Sequence, residues 1–213
     1  MPSESPATIS TTPVTSKAGS TTTDLALIAA FAALISACAY VGAIPVGGTG
    51  VPITLQTFGV MLAGCILGPW RGFLSVSLYL VLGLFLPVYA EHSSGPGVWT
   101  GISWGYLVSF PIAALLGGFL VKYVAGPRGK TRAIVVFFCS LAASILLIHP
   151  LGILGMALHQ DAPLTTAFKW DLPFWLGDLV KTSLVALIAA EVHRAFPQLL
   201  HPNYVPEIDG NRA

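Results

Sequence analysis

The sequence predicts an all-α integral membrane protein with six transmembrane helices and both termini cytoplasmic. Three observations carry this. Of 213 residues, 54% are hydrophobic and 9% are charged, against about 25% charged in an average soluble domain, so lipid is the main solvent. Windows of about 20 residues locate six apolar runs. In a six-span threading, eight of the ten Lys and Arg fall on one side: Lys17, Arg71, Lys122, Arg128, Lys130, Arg132, Arg194 and Arg212. Only Lys169 and Lys181 lie towards the other, and the positive-inside rule makes the crowded side cytoplasmic. The net charge of +1 gives no bulk attraction to nucleic acid.

The predicted spans are roughly 25–44, 54–69, 71–88, 104–124, 133–156 and 174–196. The second and third are short and separated only by "GPWRG", which reads as a tight helical hairpin; a single kinked segment would need more than 30 residues with a Pro and an Arg in its middle. Residues 1–23, rich in Ser, Thr and Pro, read as a disordered cytoplasmic tail. The run from Leu25 exceeds the apolar core of a signal peptide and no small-residue cleavage site follows it. Residues 24–196 form the membrane domain, and 197–213 a second tail. Cys38, Cys65 and Cys139 each sit in an apolar run, with no C-x-x-C pair, and read as buried hydrophobes rather than disulfide or metal ligands. No metal site and no cofactor is expected.

Two motifs are set against their surroundings. "AGPRGKT", residues 125–131, ends like a phosphate-binding loop, but Val124 stands where that motif needs Gly, and no strand precedes it. It reads as a basic turn that fixes topology. "GISWG", residues 101–105, matches the spacing of a hydrolase nucleophile elbow, but that elbow needs a strand-to-helix turn. An intramembrane serine hydrolase using Ser103 with His149 or His159 is retained as a rival, testable with a fluorophosphonate probe.

The outer connections hold most of the unusual chemistry. In "AIPVGGTGVPITLQT", Pro45, Gly47, Gly48, Gly50 and Pro52 make a shaped, non-helical loop. Irregular backbone at membrane depth survives only where it is buried in protein or lines a cavity. Gln56 and Thr57 either contact a ligand or cap the following helix. The second connection brings together Tyr89, Trp99 and Trp104 with Glu91 and His92; these aromatics anchor at the interface or line a site. The third, 157–173, alternates polar and apolar residues and reads as a short surface segment.

In the last span, Asp178 and Lys181 are one turn apart on one face. Each costs about 2.5–3.5 kcal/mol to insert at the centre of a membrane helix. Either they neutralise each other as a structural pair, or they project into a pocket open to the outside. A carboxylate accepts from N–H groups and an ammonium donates to carbonyl or carboxylate, so a pocket holding both suits a small polar ligand with N–H, C=O and acid groups. His149, before Pro150, either adds to that pocket or, the favoured reading, is a helper at a proline kink.

"VPITLQTFGVMLAGCILGPWRGFLSVSLYLVLGLFLPVYA", residues 51–90, resembles the BioY family, the biotin-binding S-components of energy-coupling factor (ECF) transporters. "WGYLVSFPIAALLGGFL" and "LGDLVKTSLVALIAA" are similar to it too, and the likeness spans about residues 25–196. It implies an S-component-like six-helix bundle in the bacterial cytoplasmic (plasma) membrane, with an outward-facing biotin pocket. It also implies partnership with a transmembrane coupling protein (T-component) and two ATPase subunits, which makes the chain a transport subunit rather than an enzyme. Asp178 and Lys181 match the family's polar ligand-binding pair. The ureido ring of biotin suits them, and its bicyclic body suits aromatic walls such as Tyr89, Trp99 or Trp104; Lys181 serves either the ureido group or the carboxylate. Where the family has "G-P-T-G-G-Y" this chain has "GISWGY": Ser103 keeps a hydroxyl, while Ile102 and Trp104 replace Pro and Gly. On the first helix Ala26, Ala29, Ala30, Ala33 and Ala37 have the small-xxx-small spacing that lets helices approach closely, for partner docking or for packing within the chain. An S-component for another vitamin, thiamine or riboflavin, is the nearest alternative.

Overall fold

The computed structural model describes residues 21–41, 43–44, 50–124 and 132–200. Residues 1–20, Gly42, 45–49 with Pro45, Gly47 and Gly48 of the first outer loop, 125–131 and 201–213 lie outside them. Among the described residues six long helices form one bundle: α1 (Thr21–Tyr40), α2 (Gln56–Leu67), α3 (Pro69–Gly83), α4 (Trp104–Val124), α5 (Arg132–His159) and α6 (Leu164–Ala195). Four of them, α1, α4, α5 and α6, are long and apolar enough to cross a membrane. The 12 residues of α2 span only about 18 Å at 1.5 Å per residue. Irregular chain leads into it, pinned by one antiparallel bridge in which Ile44 and Ile53 exchange backbone hydrogen bonds of 2.9 Å.

The α2–α3 hairpin turns at a single residue. Gly68 has φ +83°, a left-handed conformation that an L side chain resists, and Pro69 starts the next helix, where its missing N–H costs nothing. Glycines of the run "LAGCILGPWRG" make a close crossing possible. A Cβ on Gly72 falls 2.6 Å from the Gly64 Cα, and one on Gly118 of α4 falls 2.6 Å from the Gly68 carbonyl carbon. These contacts press α2, α3 and α4 together at the centre of the bundle. A second crossing joins α4 to α5 where Gly105 meets Gly155 and the Leu151 carbonyl.

Three expectations change. The last helix begins at Leu164, so the expected surface segment 157–173 shrinks to a turn after His159, and Pro173 lies inside the helix. Buried Ala167, Asp171, Phe174 and Asp178 continue the i+3/i+4 spacing of the apolar face, which explains why the helix persists through the proline. Second, α1 starts at Thr21, inside the expected tail. Third, Pro197–Leu199 forms a short 3₁₀ turn, with Leu200 buried after it. The Arg71 side chain ties this end together, donating to the carbonyls of Leu67 and Leu199 and, at 3.2 Å, to Asp24. His193 is buried beside it, 3.1 Å from the Ile66 carbonyl, and receives a hydrogen bond from Arg132.

The alanines of α1 divide clearly. Ala32 and Ala39 are buried with Ile35 and Cys38, whereas Ala26, Ala29, Ala30, Ala33 and Ala37 are all exposed on the outer surface of the bundle. Among the described residues, therefore, nothing buries this stripe of small residues. Cys38, Cys65 and Cys139 are free and buried.

Candidate functional site

At the end of the bundle bearing the 50–55 and 84–103 segments, the helices part around a cavity of about 770 Å³, counting its open mouth. Its rim comes from irregular chain, Gly50 to Thr54 and Ala90 to Ser93; its walls from Tyr89, Leu107, Phe110 and Phe174; its floor from Thr57, His149, Asp178 and Lys181. The rim's irregular backbone thus lines a cavity, as membrane depth demands.

The floor is a compact polar cluster. Lys181 Nζ lies 2.8 Å from Asp178 Oδ1 and donates to Thr57 Oγ1 at 2.9 Å, while Thr57 donates to the same Asp178 oxygen at 3.2 Å. Asp178 Oδ2 accepts a longer hydrogen bond from Ser144, 3.3 Å. The two readings of the acid–amine pair are thus not exclusive: the side chains close on each other and both line the hollow. Thr57 bridges them because α2 enters the bundle directly opposite α6. A smaller void of about 190 Å³, bounded by Met61, Ser144 and Thr182, lies against the same pair.

Ser144 and His149 reach this floor through a local change in α5. Pro150 has no N–H, and its ring crowds the carbonyl four residues before it. The chain responds with wider π-helical turns over Ser144–Ile148, a feature common at functional sites. His149 is buried, stacks on Trp175 with ring centroids 4.6 Å apart, and places Nδ1 2.7 Å from Asp171 Oδ2. Its role therefore extends beyond the proline kink.

Of the residues singled out by sequence, Gln56, Thr57, Tyr89, Ser103, Asp178 and Lys181 line the cavity. Gln56 donates to Tyr79 at 2.5 Å and provides no side-chain cap to its own helix. Tyr89 lies over Gly83, donates to the Leu80 carbonyl at 2.5 Å and accepts from Trp99 at 3.0 Å; burial pushes its phenol upward from the usual tyrosine range. Trp99 and Trp104 are not among the lining residues. Trp99 instead backs Tyr89, and Trp104 packs beside Gly155. Ile102 leans towards Gly50 of the first outer loop, so the departure "GISWGY" repacks the rim. Lys169 is exposed, away from the cavity. Missed from the sequence were Asp171 and Tyr106, whose hydroxyl lies 2.6 Å from Asp171 Oδ1.

Ser103 immediately precedes α4, its carbonyl accepting from the backbone of Tyr106 and Leu107. It stands in no strand-to-helix elbow. The histidine of the rival catalytic pair that is near the cavity, His149, faces Asp171 and Asp178; His159 is exposed at the end of α5. Among the described residues no group of three His, Cys, Asp or Glu is arranged to hold a metal ion.

A bundle of apolar helices around a cavity with a donor–acceptor floor defines a membrane-embedded binding subunit for a small polar solute. The chain belongs to the BioY family, whose profile matches residues 10–198. It is 38% identical over 187 residues to the biotin transporter BioY of Rhodobacter capsulatus, covering 83% of this chain and 96% of that one. It is 35% identical over 173 residues to the probable biotin transporter BioY of Bacillus subtilis, covering 81% and 91%. Its fold matches the crystal structure of the S-component for biotin from an ECF-type ABC transporter, with TM-score 0.76 and 28% identity over 80% of this chain and 90% of that one. These relatives are transporters, and with them the hydrolase reading falls.

Proposed function

We propose that this chain captures biotin from outside the cell as the S-component of an energy-coupling factor transporter. The observation that carries the reading is the floor of the cavity in a chain of this family. Asp178 supplies carboxylate acceptors and Lys181 supplies ammonium hydrogens, 2.8 Å apart and both facing the hollow. Biotin's ureido ring has the complementary N–H groups and C=O. Lys181 is held between Asp178 and Thr57, which suits it to the ureido carbonyl rather than to a distant carboxylate. The bicycle then lies against Tyr89, Phe110 and Phe174, and the valerate runs to the open rim, where Ser93 and Ser103 offer hydroxyls. Trp99 supports that wall from behind.

The chain lies in the bacterial plasma membrane as six crossings, α2 and α3 included, with both termini cytoplasmic. Arg71, Lys122 and Arg132 at the end opposite the cavity fit that orientation. The binding unit runs from the start of α1 at Thr21 to the buried Leu200. Uptake needs a transmembrane coupling protein and two ATPase subunits, and the exposed α1 alanines suit close helix contact with the former.

Equilibrium binding of radiolabelled biotin to detergent-purified protein tests the reading, with thiamine and riboflavin as competitors. Saturable binding displaced by unlabelled biotin alone is expected. Displacement by either other vitamin in preference to biotin would assign the chain to a different ligand.

A further inference from the structure

We propose that His149 is a further ligand-contacting residue of this cavity, and that Asp171 is the positioning residue that sets its imidazole. The proposal rests on the biotin-capture reading and assigns two residues to it.

Asp171 has no exposed surface and sits two helical turns before Asp178 in α6. Its Oδ1 lies 2.6 Å from the Tyr106 hydroxyl, and its Oδ2 lies 2.7 Å from both Trp175 Nε1 and His149 Nδ1. An indole N–H only donates, so Oδ2 is an acceptor, and a ring nitrogen at 2.7 Å from the same oxygen must bring a hydrogen too. Asp171 therefore fixes the proton on Nδ1, and the other ring nitrogen is set by that bond. Stacking on Trp175, with an interplanar angle of 27°, holds the plane of the ring.

Nε2 then points to the cavity floor, 3.6 Å from Asp178 Oδ2. That separation is too long for a hydrogen bond, and the Ser144 bond to the same oxygen is itself 3.3 Å. Two polar atoms thus lie side by side on the wall without satisfying each other. Tyr106, whose hydrogen goes to Asp171, also lines the cavity. Asp178 Oδ2 and His149 Nε2, 3.6 Å apart, form an acceptor pair that one ligand N–H can share in a three-centre bond, as a urea N–H would. One ureido N–H meets this pair of acceptors, while Lys181 takes the neighbouring carbonyl.

Biotin affinity and melting temperature of purified variants separate positioning from mere packing. His149→Gln carries an amide towards the Nε2 position and drops the contact with Asp171. His149→Asn keeps an amide near the Nδ1 position and withdraws from the cavity. The Gln variant is expected to bind at least about tenfold more tightly than the Asn variant, and Asp171→Asn to weaken the unmodified protein by about tenfold, the scale of one hydrogen bond to a charged group. Asp171→Asn should change nothing further in the His149→Gln background. The opposite order of the His149 variants, or an undiminished Asp171→Asn effect beside His149→Gln, would overturn the proposal. Nitrogen-15 spectra of histidine-labelled protein read the tautomer without ligand: a proton on Nδ1 of His149, released to Nε2 in Asp171→Asn, is expected. If the protein fails to capture biotin, the ligand reading falls alone; if Nδ1 of His149 is bare, the positioning role falls with or without biotin.

Discussion

Lys181 and Asp178 are bonded to each other at 2.8 Å, and the same two side chains form the floor of the cavity. Their side chains are 10% and 8% exposed, so neither is screened as a surface pair would be. The attraction between two such charges offsets the loss of their hydration, and removing one partner leaves the other buried and uncompensated, at a cost of about 3–5 kcal/mol. Asp178→Asn and Lys181→Met should each lower the melting temperature in detergent. The double variant, with no charge left over, should recover most of that loss. Additive destabilisation in the double variant would mean that the two groups are stabilised independently.

The glycine crossing makes a contrast inside one residue type. A Cβ on Gly118 meets the Gly68 backbone at 2.6 Å, whereas one on Gly97 meets nothing within 4 Å. Gly118→Ala forces backbone shifts and should cost about 1–3 kcal/mol; Gly97→Ala should stay within about 0.5 kcal/mol of the parent. Thermal melting monitored by circular dichroism distinguishes them, and equal melting temperatures would contradict the close packing of α2, α3 and α4.

The aromatic residues predict unequal effects on biotin affinity. Tyr89 lines the cavity, with Trp99 donating to it from behind, while Trp104 packs beside Gly155. Tyr89→Ala should weaken binding by well over tenfold, since a buried aromatic wall contributes about 1.5–3 kcal/mol. Trp104→Phe should leave it within about threefold, as a surface-like substitution away from the site does. Titration calorimetry reads both, and a larger loss for Trp104→Phe would put the ligand on the other side of α4.

Exposed alanines on α1 predict a separation of capture from uptake. Ala29→Trp and Ala33→Trp project from a face that is exposed among the described residues, so purified protein should bind biotin as before. Cellular uptake should fall by more than tenfold if a partner helix approaches closely there. Uptake unchanged by both variants would move the docking surface elsewhere on the bundle.

Much of this architecture is legible in the sequence because lipid imposes strong rules. Apolar runs marked α1, α4 and α5, and "GPWRG" marked a hairpin whose turn falls at Gly68. Gly50 and Pro52 marked irregular chain before Gln56, and Asp178 and Lys181 stood out as charges in an apolar helix. What was hidden has a physical cause. Lys169, Trp170 and Asp171 read as surface because the segment alternates in polarity and contains Pro173, yet Ala167, Asp171 and Phe174 share one buried face. Within a membrane protein, neighbouring groups satisfy the backbone that a proline frees, so the helix continues. Extending the i+3/i+4 spacing of Asp178 backwards through the proline was the signal that would have found Asp171. Its partners could not be read, since Tyr106 lies 65 residues away and Pro150 announces a kink in α5 but not that the resulting π-helical turns aim His149 at Asp171.

The acid and amine of α6 matter here as ligand contacts and not only as a structural pair. Affinity for radiolabelled biotin, measured on purified Asp178→Asn/Lys181→Met protein beside the parent, tests this most directly. The account predicts a double variant that melts near the parent temperature and has lost biotin binding by more than about a hundredfold, the scale of two charge-assisted hydrogen bonds. A double variant that is equally stable and binds biotin as the parent does would contradict it.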